Sequence, residues 1–334
     1  MQKVKPIKPE DLEGINDFNR FIMEDFLTNS TELSPKSLKV YRSNLQIWFW
    51  WVKNNLGNKS ELDIKPLDYK RYQNWLVNRG CSSSDVNIKR ATISSLNKYI
   101  EVYYADDYPM FHNFINASIP RPAKNVVHEK KPLKKEEFKH LVDELTRLEK
   151  WQQLAYLLFT FDTGCRRAES RQLLKEVVTY APTEKVKVTQ DENGNDVVHR
   201  VVMYSTHPIR CKGRGAAGKV RRLTFGEDAM QAIKKWLEVR GEDDCPYVFV
   251  SNVNGKMQQV SDTCFNGWCN SFSKIIGREF HPHNIRHTRA TMAAVEEGID
   301  AKVVQKLLGH ESVTTTETSY IVREESEDLD DLFG

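Results

Sequence analysis

The chain has 334 residues, of which 40% are hydrophobic and 28% charged, with a formal net charge of +3 at pH 7. That length suits two ordinary domains, because a single hydrophobic core rarely grows beyond about 250 to 300 residues. No apolar run approaches the roughly 18 residues of a membrane span and no signal peptide opens the chain, so we exclude an integral membrane protein and expect a cytoplasmic one.

The charge is distributed unevenly along the sequence. Residues 1–130 carry 19 basic and 15 acidic side chains, residues 131–320 carry 29 and 25, and residues 321–334 carry 1 and 6. A mildly basic body is compatible with a polyanionic partner, but only clustered charge makes a phosphate-binding face. The six cysteines form no C-x-x-C pair, which favours reduced thiols over a disulfide framework or a zinc ribbon.

The N-terminal part shows the three- and four-residue hydrophobic spacing of amphipathic helices. Ser34 and Pro35 mark one helix start, because serine is a good cap and proline fits the first helical position. The spacing predicts helices over about 11–27, 35–52, 66–79 and 84–100. We therefore expect an all-α domain of four helices over residues 1–118.

The last of these helices also displays short polar and basic side chains, the kind that contact phosphates when a helix lies along a DNA groove. A solvated helix face is the alternative explanation of the same pattern. The candidate DNA contacts on this helix are Lys89, Arg90, Ser94 and Lys98.

Residues 119–133 differ in composition, with three prolines and several lysines that oppose continuous helix and indicate an extended linker. Beyond it, apolar helices are followed over 176–225 by strand-like alternation around an Asn-Gly turn, and then by helices again. This order predicts a mixed α+β domain over residues 134–320 with one small antiparallel sheet, followed by an acidic tail at 321–334.

The most specific stretch is residues 281–320, HPHNIRHTRATMAAVEEGIDAKVVQKLLGHESVTTTETSY. His283 and Arg286 are three residues apart at a predicted helix start, so one helix face presents both side chains to the same anion. Upstream, Arg166 follows a Thr-Gly turn, and Glu169 lies one helical turn later, where its carboxylate can hold the guanidinium. This arrangement suits a phosphate group.

The run H-x-x-R-H-T-x-A-T, then L-G-H, then a tyrosine ten residues later resembles the tyrosine site-specific recombinases, also called phage integrases. The T-G-x-R-x-x-E element resembles their first arginine box, and Lys212-Gly213 resembles the lysine of their β-hairpin. The resemblance covers residues 133–320, and the N-terminal helices are similar to the family's SAM-like core-binding domain in pattern only. It implies an all-α core-binding domain followed by a mixed α+β tyrosine-recombinase catalytic domain.

The resemblance also implies a reaction. Tyr320 would attack a scissile phosphate and form a 3′-phosphotyrosyl link, while Arg166 and Arg286 would clamp the non-bridging oxygens. Because one ester replaces another, no ATP is needed. Because the two arginines would stabilise the developing charge that a metal ion handles elsewhere, the resemblance implies a metal-free site, and we expect no cofactor.

Four further residues receive roles from the same resemblance. Lys212 would protonate the departing 5′-oxygen, His283 would handle the tyrosine proton, and His310 would hydrogen-bond the phosphate, with Glu169 in a supporting role. The ten-residue gap from His310 to the tyrosine is at the long end of the family's range.

Several neighbouring residues remain alternatives or additional contacts. Lys219 lies at the other end of the same turn as Lys212, and Arg167 follows Arg166, so both are candidate DNA contacts. Ser319 and Thr318, beside the tyrosine, are poorer nucleophiles.

At the level of the assembly, the resemblance implies a two-domain, Cre- or Xer-like enzyme that clamps duplex DNA. We expect inverted-repeat sites and a homotetramer on two sites that exchanges strands through a four-way junction, with accessory DNA-bending proteins as candidate partners. Because the predicted helical domain begins almost at residue 1, we expect no additional arm-binding domain. Its acidic tail is either disordered or docks its apolar residues on a neighbouring protomer.

Other kinds of site and function were weighed. Residues 213–220, GRGAAGKV, have the spacing of a nucleotide-binding P-loop, but a valine replaces the magnesium-binding hydroxyl and a strand pattern follows. A zinc site would draw on residues without regular zinc spacing, namely His281, His283, His287, Cys264 and Cys269. A non-catalytic DNA-binding protein and a monomeric type IB-like topoisomerase are the alternative functions.

Overall fold

The computed structural model describes residues 7–115, 118–123, 131–190, 195–212 and 218–309. The chain forms two compact units, one within residues 7–123 and the other within residues 131–212 and 219–309. The domain limits assigned from the sequence stay a prediction, since part of the linker and the whole acidic tail lie outside the described residues. No helix in the described part of the chain is long and apolar enough to cross a bilayer.

The first unit is helical, and its α-helices follow the predicted order. They are α1 (Asp17–Asn29), α2 (Pro35–Asn55), α3 (Pro66–Asn78) and α4 (Ser83–Tyr103). The hydroxyl oxygen of Ser34 accepts a hydrogen bond from the backbone N–H of Ser37 at 3.2 Å, which satisfies one of the unpaired donors at the start of α2. The first helix begins later than predicted, because residues Pro9–Leu12 form a separate 3-10 turn.

Aromatic residues fill the core of this helical unit. Trp48 of α2 is fully buried and meets Tyr72 of α3 edge to face, with ring centroids 4.8 Å apart. The indole N–H of Trp48 donates to a carboxylate oxygen of the buried Glu61 at 2.8 Å. Burial raises the pKa of Glu61 to about 8, so this carboxyl is protonated at neutral pH.

The second unit is mixed α+β. Its described helices are α5 (Lys135–Arg147), α6 (Trp151–Thr163), α7 (Arg167–Ser170), α8 (Glu227–Arg240), α9 (Cys264–Ile276), α10 (Pro282–Thr291) and α11 (Ala301–Leu308), with a 3-10 helix at Lys175–Thr179 and a π-helix at Met292–Glu296. Its described strands are β1 (Thr183–Gln190), β2 (Asp196–Ser205), β3 (Ile209–Cys211), β4 (Lys219–Arg221), β5 (Thr224–Gly226), β6 (Val250–Val253) and β7 (Lys256–Gln259).

The strands form three antiparallel sheets in the described residues, where the sequence predicted one. β1, β2 and β5 make a three-stranded sheet in that order, and β3–β4 and β6–β7 are separate hairpins. The run VRRLTF was predicted as a single strand, but it divides between β4 and β5, which pair with different partners. The β6–β7 hairpin was missed, because only helices were expected after the central strands.

The core of the second unit packs around α6, which is the element that leads into the candidate site. Tyr156 of α6 stacks on Phe265 of α9 with ring centroids 4.4 Å apart, and Phe159 meets Phe225 of β5 edge to face. All four side chains are almost fully buried. This packing fixes the C-terminal end of α6 at Gly164.

Candidate active site

The turn after α6 places the first arginine of the candidate site. Gly164 ends α6 in the left-handed conformation, with φ 54°, which glycine adopts without strain. Two residues later, Arg166 caps α7, and its Nη1 donates to Glu169 Oε1 at 3.0 Å while its backbone N–H donates to Oε2 at 3.1 Å. The predicted pairing of Arg166 with Glu169 is present in the structure.

Glu169 is buried, with 1% of its surface exposed. Burial alone would raise the pKa of this carboxyl, but the Arg166 backbone N–H and the guanidiniums of Arg166 and Arg221 outweigh it, and the pKa is lowered. The side chain is therefore a carboxylate that holds two cations in place.

The second arginine, Arg286, lies on α10 and is 1% exposed. Its Nη1 donates to the carbonyl oxygen of Gly164, and its Nη2 donates to the carbonyl oxygen of Leu308 at 2.6 Å. Arg286 therefore joins the turn before Arg166 to the end of α11. α10 itself is tied to the start of the unit, since Thr288 Oγ1 accepts from the backbone N–H of Leu133 at 2.8 Å.

His283 lies one turn before Arg286 on α10. Desolvation by the surrounding atoms lowers the pKa of its imidazole, and the nearby guanidiniums of Arg167, Arg286 and Arg166 lower it further, although the residue keeps solvent access. The ring is therefore neutral at pH 7. A neutral imidazole beside three fixed cations can accept a proton from a hydroxyl that approaches them.

The end of α11 packs against the turn after α6. A Cβ added at Gly164 would lie 2.7 Å from Leu308 Cδ2, so the two segments are in close contact. α11 ends at Gly309 in the left-handed conformation, with φ 65°. His310 follows directly in the sequence, but both His310 and Tyr320 lie outside the described residues.

The two candidate lysines lie on either side of the turn of the β3–β4 hairpin. Lys212 follows β3 and is exposed, and Lys219 opens β4, paired in register with Cys211. The turn at 213–217 lies outside the described residues. Because Val220 lies in strand β4 rather than at a helix start, the structure does not have the helix that a P-loop requires here.

Arg167 does not share the carboxylate of Glu169 with Arg166, and its guanidinium bonds to residues near the start of α9. Its Nη1 donates to Asn266 Oδ1 at 2.7 Å and to the carbonyl oxygen of Asp262 at 3.3 Å. The candidate zinc ligands, all of them described, do not gather, since no group of three or more metal-binding side chains occurs in the part of the chain that the structure describes.

The candidate DNA contacts on α4 differ in their surroundings. Lys89 is 6% exposed and its ammonium pairs with Asp85 at 2.6 Å, so its predicted role as a surface contact does not fit this position. Arg90 is half-buried over the ring of Tyr69, whereas Lys98 is exposed. Ser94 is half-buried, and its hydroxyl accepts from Asn113 Nδ2 at 2.9 Å.

One residue of the site was missed in the sequence. Arg221, at the end of β4, donates from Nη2 to Glu169 Oε2 at 3.2 Å. Its neighbour Arg222 instead donates to the carbonyl oxygen of Thr206 at 2.9 Å. Two adjacent arginines give no sequence signal of which one faces Glu169.

The chain is also similar to known proteins over most of its length. The sequence model of the Phage integrase family matches residues 131–327, which is more than half of the chain. The chain belongs to the phage integrase family. The SPbeta prophage-derived recombinase-like protein YomM of Bacillus subtilis is 31% identical over 96% of this chain and 92% of its own length. Tyrosine recombinase XerC of Oceanobacillus iheyensis is 24% identical, with 88% of each chain covered.

Solved structures show the same fold at low sequence identity. The Tn1549 transposon integrase, in complex with a circular intermediate DNA, matches with a TM-score of 0.64 and 15% identity, covering 95% of this chain and 98% of that one. The XerH site-specific recombinase, bound to a palindromic substrate, matches with a TM-score of 0.64 and 16% identity over 95% and 94%. The predicted fold class, a helical domain followed by a mixed α+β catalytic domain, is confirmed.

Proposed function

We propose that this protein is a site-specific DNA recombinase that cuts and rejoins duplex DNA through a covalent link to Tyr320. The observation that carries the proposal is the gathering of Arg166, His283 and Arg286 around the turn after α6. Permanently charged guanidiniums suit a phosphate, and membership of the phage integrase family supports the same chemistry.

In the proposed reaction, the hydroxyl oxygen of Tyr320 attacks the scissile phosphorus and the bond to the 5′-oxygen breaks. His283 takes the tyrosine proton, and Lys212 gives a proton to the departing 5′-oxygen, so that a 3′-phosphotyrosyl ester and a free 5′-hydroxyl result. Attack by the 5′-hydroxyl of another strand reverses these steps and restores a phosphodiester. The phosphoryl group changes only its ester partner, so no ATP enters the balance.

Arg166 and Arg286 hold the non-bridging oxygens as charge develops in the transition state, and Glu169 keeps Arg166 in place. The backbone bonds of Arg286 support this role, because a side chain fixed in advance loses little freedom when it binds the phosphate. His310 completes the set as a hydrogen-bond donor.

The proposal extends to the assembly. Two protomers bind one inverted-repeat site, two sites come together in a homotetramer, and strands are exchanged through a four-way junction, with accessory DNA-bending proteins where the site needs them. On the helical unit, Lys98 is the candidate phosphate contact that keeps its solvent exposure. Binding should weaken steeply as salt concentration rises, since phosphate contacts release counterions.

The test uses duplexes that the full-length protein selects from a randomised library, each nicked at successive positions so that a cleaved strand end diffuses away. Wild-type protein and the Tyr320→Phe variant are compared on a denaturing gel in the presence of EDTA. We expect a covalent DNA complex with wild type only, and unchanged DNA affinity for the variant.

Three results would speak against the proposal. Binding without a covalent complex at any nick position would favour a non-catalytic DNA-binding protein. A complex that persists in Tyr320→Phe would assign the nucleophile to another residue. Relaxation of supercoiled plasmids that lack the selected site would favour a topoisomerase.

A further inference from the structure

Arg221 joins three elements of the second unit through one guanidinium. Its Nε donates to the thiol sulfur of Cys211 on β3 at 3.2 Å, and its Nη2 donates to Glu169 on α7 at 3.2 Å. Its Nη1 donates to the carbonyl oxygen of Leu307 on α11 at 2.8 Å. A planar fork with five donors can serve three partners in fixed directions, which a lysine ammonium cannot do.

Arg221 contacts the end of α11 by packing as well as by its hydrogen bond to Leu307. A Cβ added at Gly309 would lie 3.0 Å from Arg221 Nη1 and 3.1 Å from its Cζ, so the guanidinium rests directly on this glycine. The carbonyl groups of a helix's last turn have no partners within the helix, and cations are favoured beside them. Here Arg221 donates a hydrogen bond to the carbonyl oxygen of Leu307, and Arg286 donates one to that of Leu308.

The contact with Glu169 reaches the first arginine of the site. The two oxygens of this buried carboxylate are divided, with the Arg166 guanidinium on Oε1 and the Arg221 guanidinium on Oε2. Removing Arg221 would leave a buried carboxylate with one cation instead of two, which would raise its pKa and loosen its hold on Arg166.

We infer that Arg221 is a positioning residue for the proposed strand cleavage, fixing Arg166 through Glu169 and fixing the end of α11, from which the chain runs on to His310. The inference rests on the proposed function and adds to it a residue that touches no substrate. Because Cys211 immediately precedes Lys212, the same guanidinium also ties the hairpin to the site.

The test compares the full-length variants Arg221→Met and Arg221→Lys with Arg222→Met, whose guanidinium bonds away from the site. Cleavage of the nicked duplex is followed in a single turnover at saturating protein, and affinity is measured separately. We expect Arg221→Met to cleave about 10²-fold more slowly, as small misplacements of catalytic groups do, with an affinity close to that of Arg222→Met and a melting temperature that is lower but above the assay temperature. Arg221→Lys should recover part of the rate.

Two further readouts separate positioning from a general loss of stability. Besides the acid limb set by His283, the cleavage rate of Arg221→Met should show a further loss on acidification, because Glu169 has lost a cation and its pKa rises. Amide hydrogen exchange at Gly309, whose N–H donates to the carbonyl oxygen of Lys306, should accelerate in Arg221→Met and not in Arg222→Met, a result that does not depend on activity.

Equal cleavage by the two methionine variants would overturn the inference, as would unchanged exchange at the end of α11. If affinity, melting temperature and cleavage all fall together in Arg221→Met and Arg221→Lys, the residue is structural and the inference is wrong. A failure of the proposed function itself is distinguishable, since it would show as the absence of a covalent complex with wild type.

Discussion

At the residue scale, the site depends on His283 being neutral. Its pKa is lowered first by desolvation and then by Arg167, Arg286 and Arg166, in that order. A group with a lowered pKa loses its proton earlier as pH rises, so the proposed base is available at pH 7 and is lost on acidification.

The substitution Arg167→Gln should therefore raise the pKa of His283. Removing the positive charge of Arg167 reduces the repulsion on the protonated imidazole, so the ring keeps its proton to a higher pH. We therefore expect the loss of single-turnover cleavage on acidification, the acid limb of the pH profile, to move to higher pH. The measurement is the rate of covalent complex formation against pH at saturating DNA. Arg171→Gln is the matched control, since Arg171 bonds to Gln259 and is not among the groups that lower the pKa of His283. An acid limb that does not differ between the two variants would rule out this cause.

Residue identity could be predicted where a motif fixed it. Arg166, Glu169, His283 and Arg286 were selected by their spacing and by resemblance to the family's motifs, and the structure brings Arg166, Glu169 and Arg286 to one turn. Arg221 could not be selected, because its role depends on which of two adjacent arginines faces Glu169, and that follows from the pairing of β4 with β3. The roles of all these residues stay proposals.

At the scale of elements, α11 is held by close packing against the turn after α6. Gly164 and Gly277 both end helices in the left-handed conformation, with φ 54° and 73°. They differ in their surroundings, since a Cβ at Gly164 would meet Leu308 at 2.7 Å while nothing lies within 4 Å of one at Gly277.

Gly164→Ala should accordingly cost more stability than Gly277→Ala. The left-handed backbone costs an alanine about 1–2 kcal/mol at either position, and overpacking should add about 1–3 kcal/mol at Gly164 only. Chemical denaturation of the full-length variants gives the comparison. Gly164→Ala should also slow DNA cleavage, because the clash pushes on the segment that carries Arg166. Equal stability of the two variants would contradict the packing described for α11.

The order of helices was predictable because their periodicity and caps are local signals. The strands were harder to predict from the sequence than the helices. VRRLTF alternates like a single strand, yet its two halves pair with β3 and β2, and pairing partners depend on the tertiary fold rather than on alternation. The hairpin β6–β7 has short strands around Asn254-Gly255, a turn signal that the sequence did carry.

At the scale of the whole molecule, each unit has its own hydrophobic core. The core of the helical unit contains a carboxyl group, Glu61, whose pKa of about 8 lies far above the unfolded value near 4.5. Between these two values the unfolded chain releases a proton that the folded unit keeps. The stability that this group contributes is therefore complete below pH 4.5 and is lost as pH rises through 8.

Glu61→Gln should remove this pH dependence from the unfolding of the helical unit. The amide can still accept from the Trp48 indole N–H, and it has no proton to release. Denaturant unfolding at several values between pH 5 and 8 measures the effect, with the exposed Glu32→Gln as control. Wild type and the control should lose stability as pH rises, and Glu61→Gln should not. A similar slope in all three proteins would show that Glu61 ionises freely in the fold.

The division into two units was visible in the sequence as a proline- and lysine-rich boundary, and the fold class followed from the family's motifs. Base recognition could not be predicted, because it depends on a few groove-facing side chains and on the deformability of the DNA. The buried carboxyl of Glu61 was also beyond sequence reasoning, since nothing local distinguishes it from the acidic residues at the surface.

Identification of the DNA-linked peptide tests the proposed chemistry most directly. Covalent complexes trapped on the nicked duplex are digested with nuclease and protease, and the modified residue is located by mass spectrometry. We predict a nucleotide attached to Tyr320 in the peptide that also contains Ser319 and Thr318. Attachment to either of those hydroxyls, or to any residue other than Tyr320, would contradict the proposed mechanism.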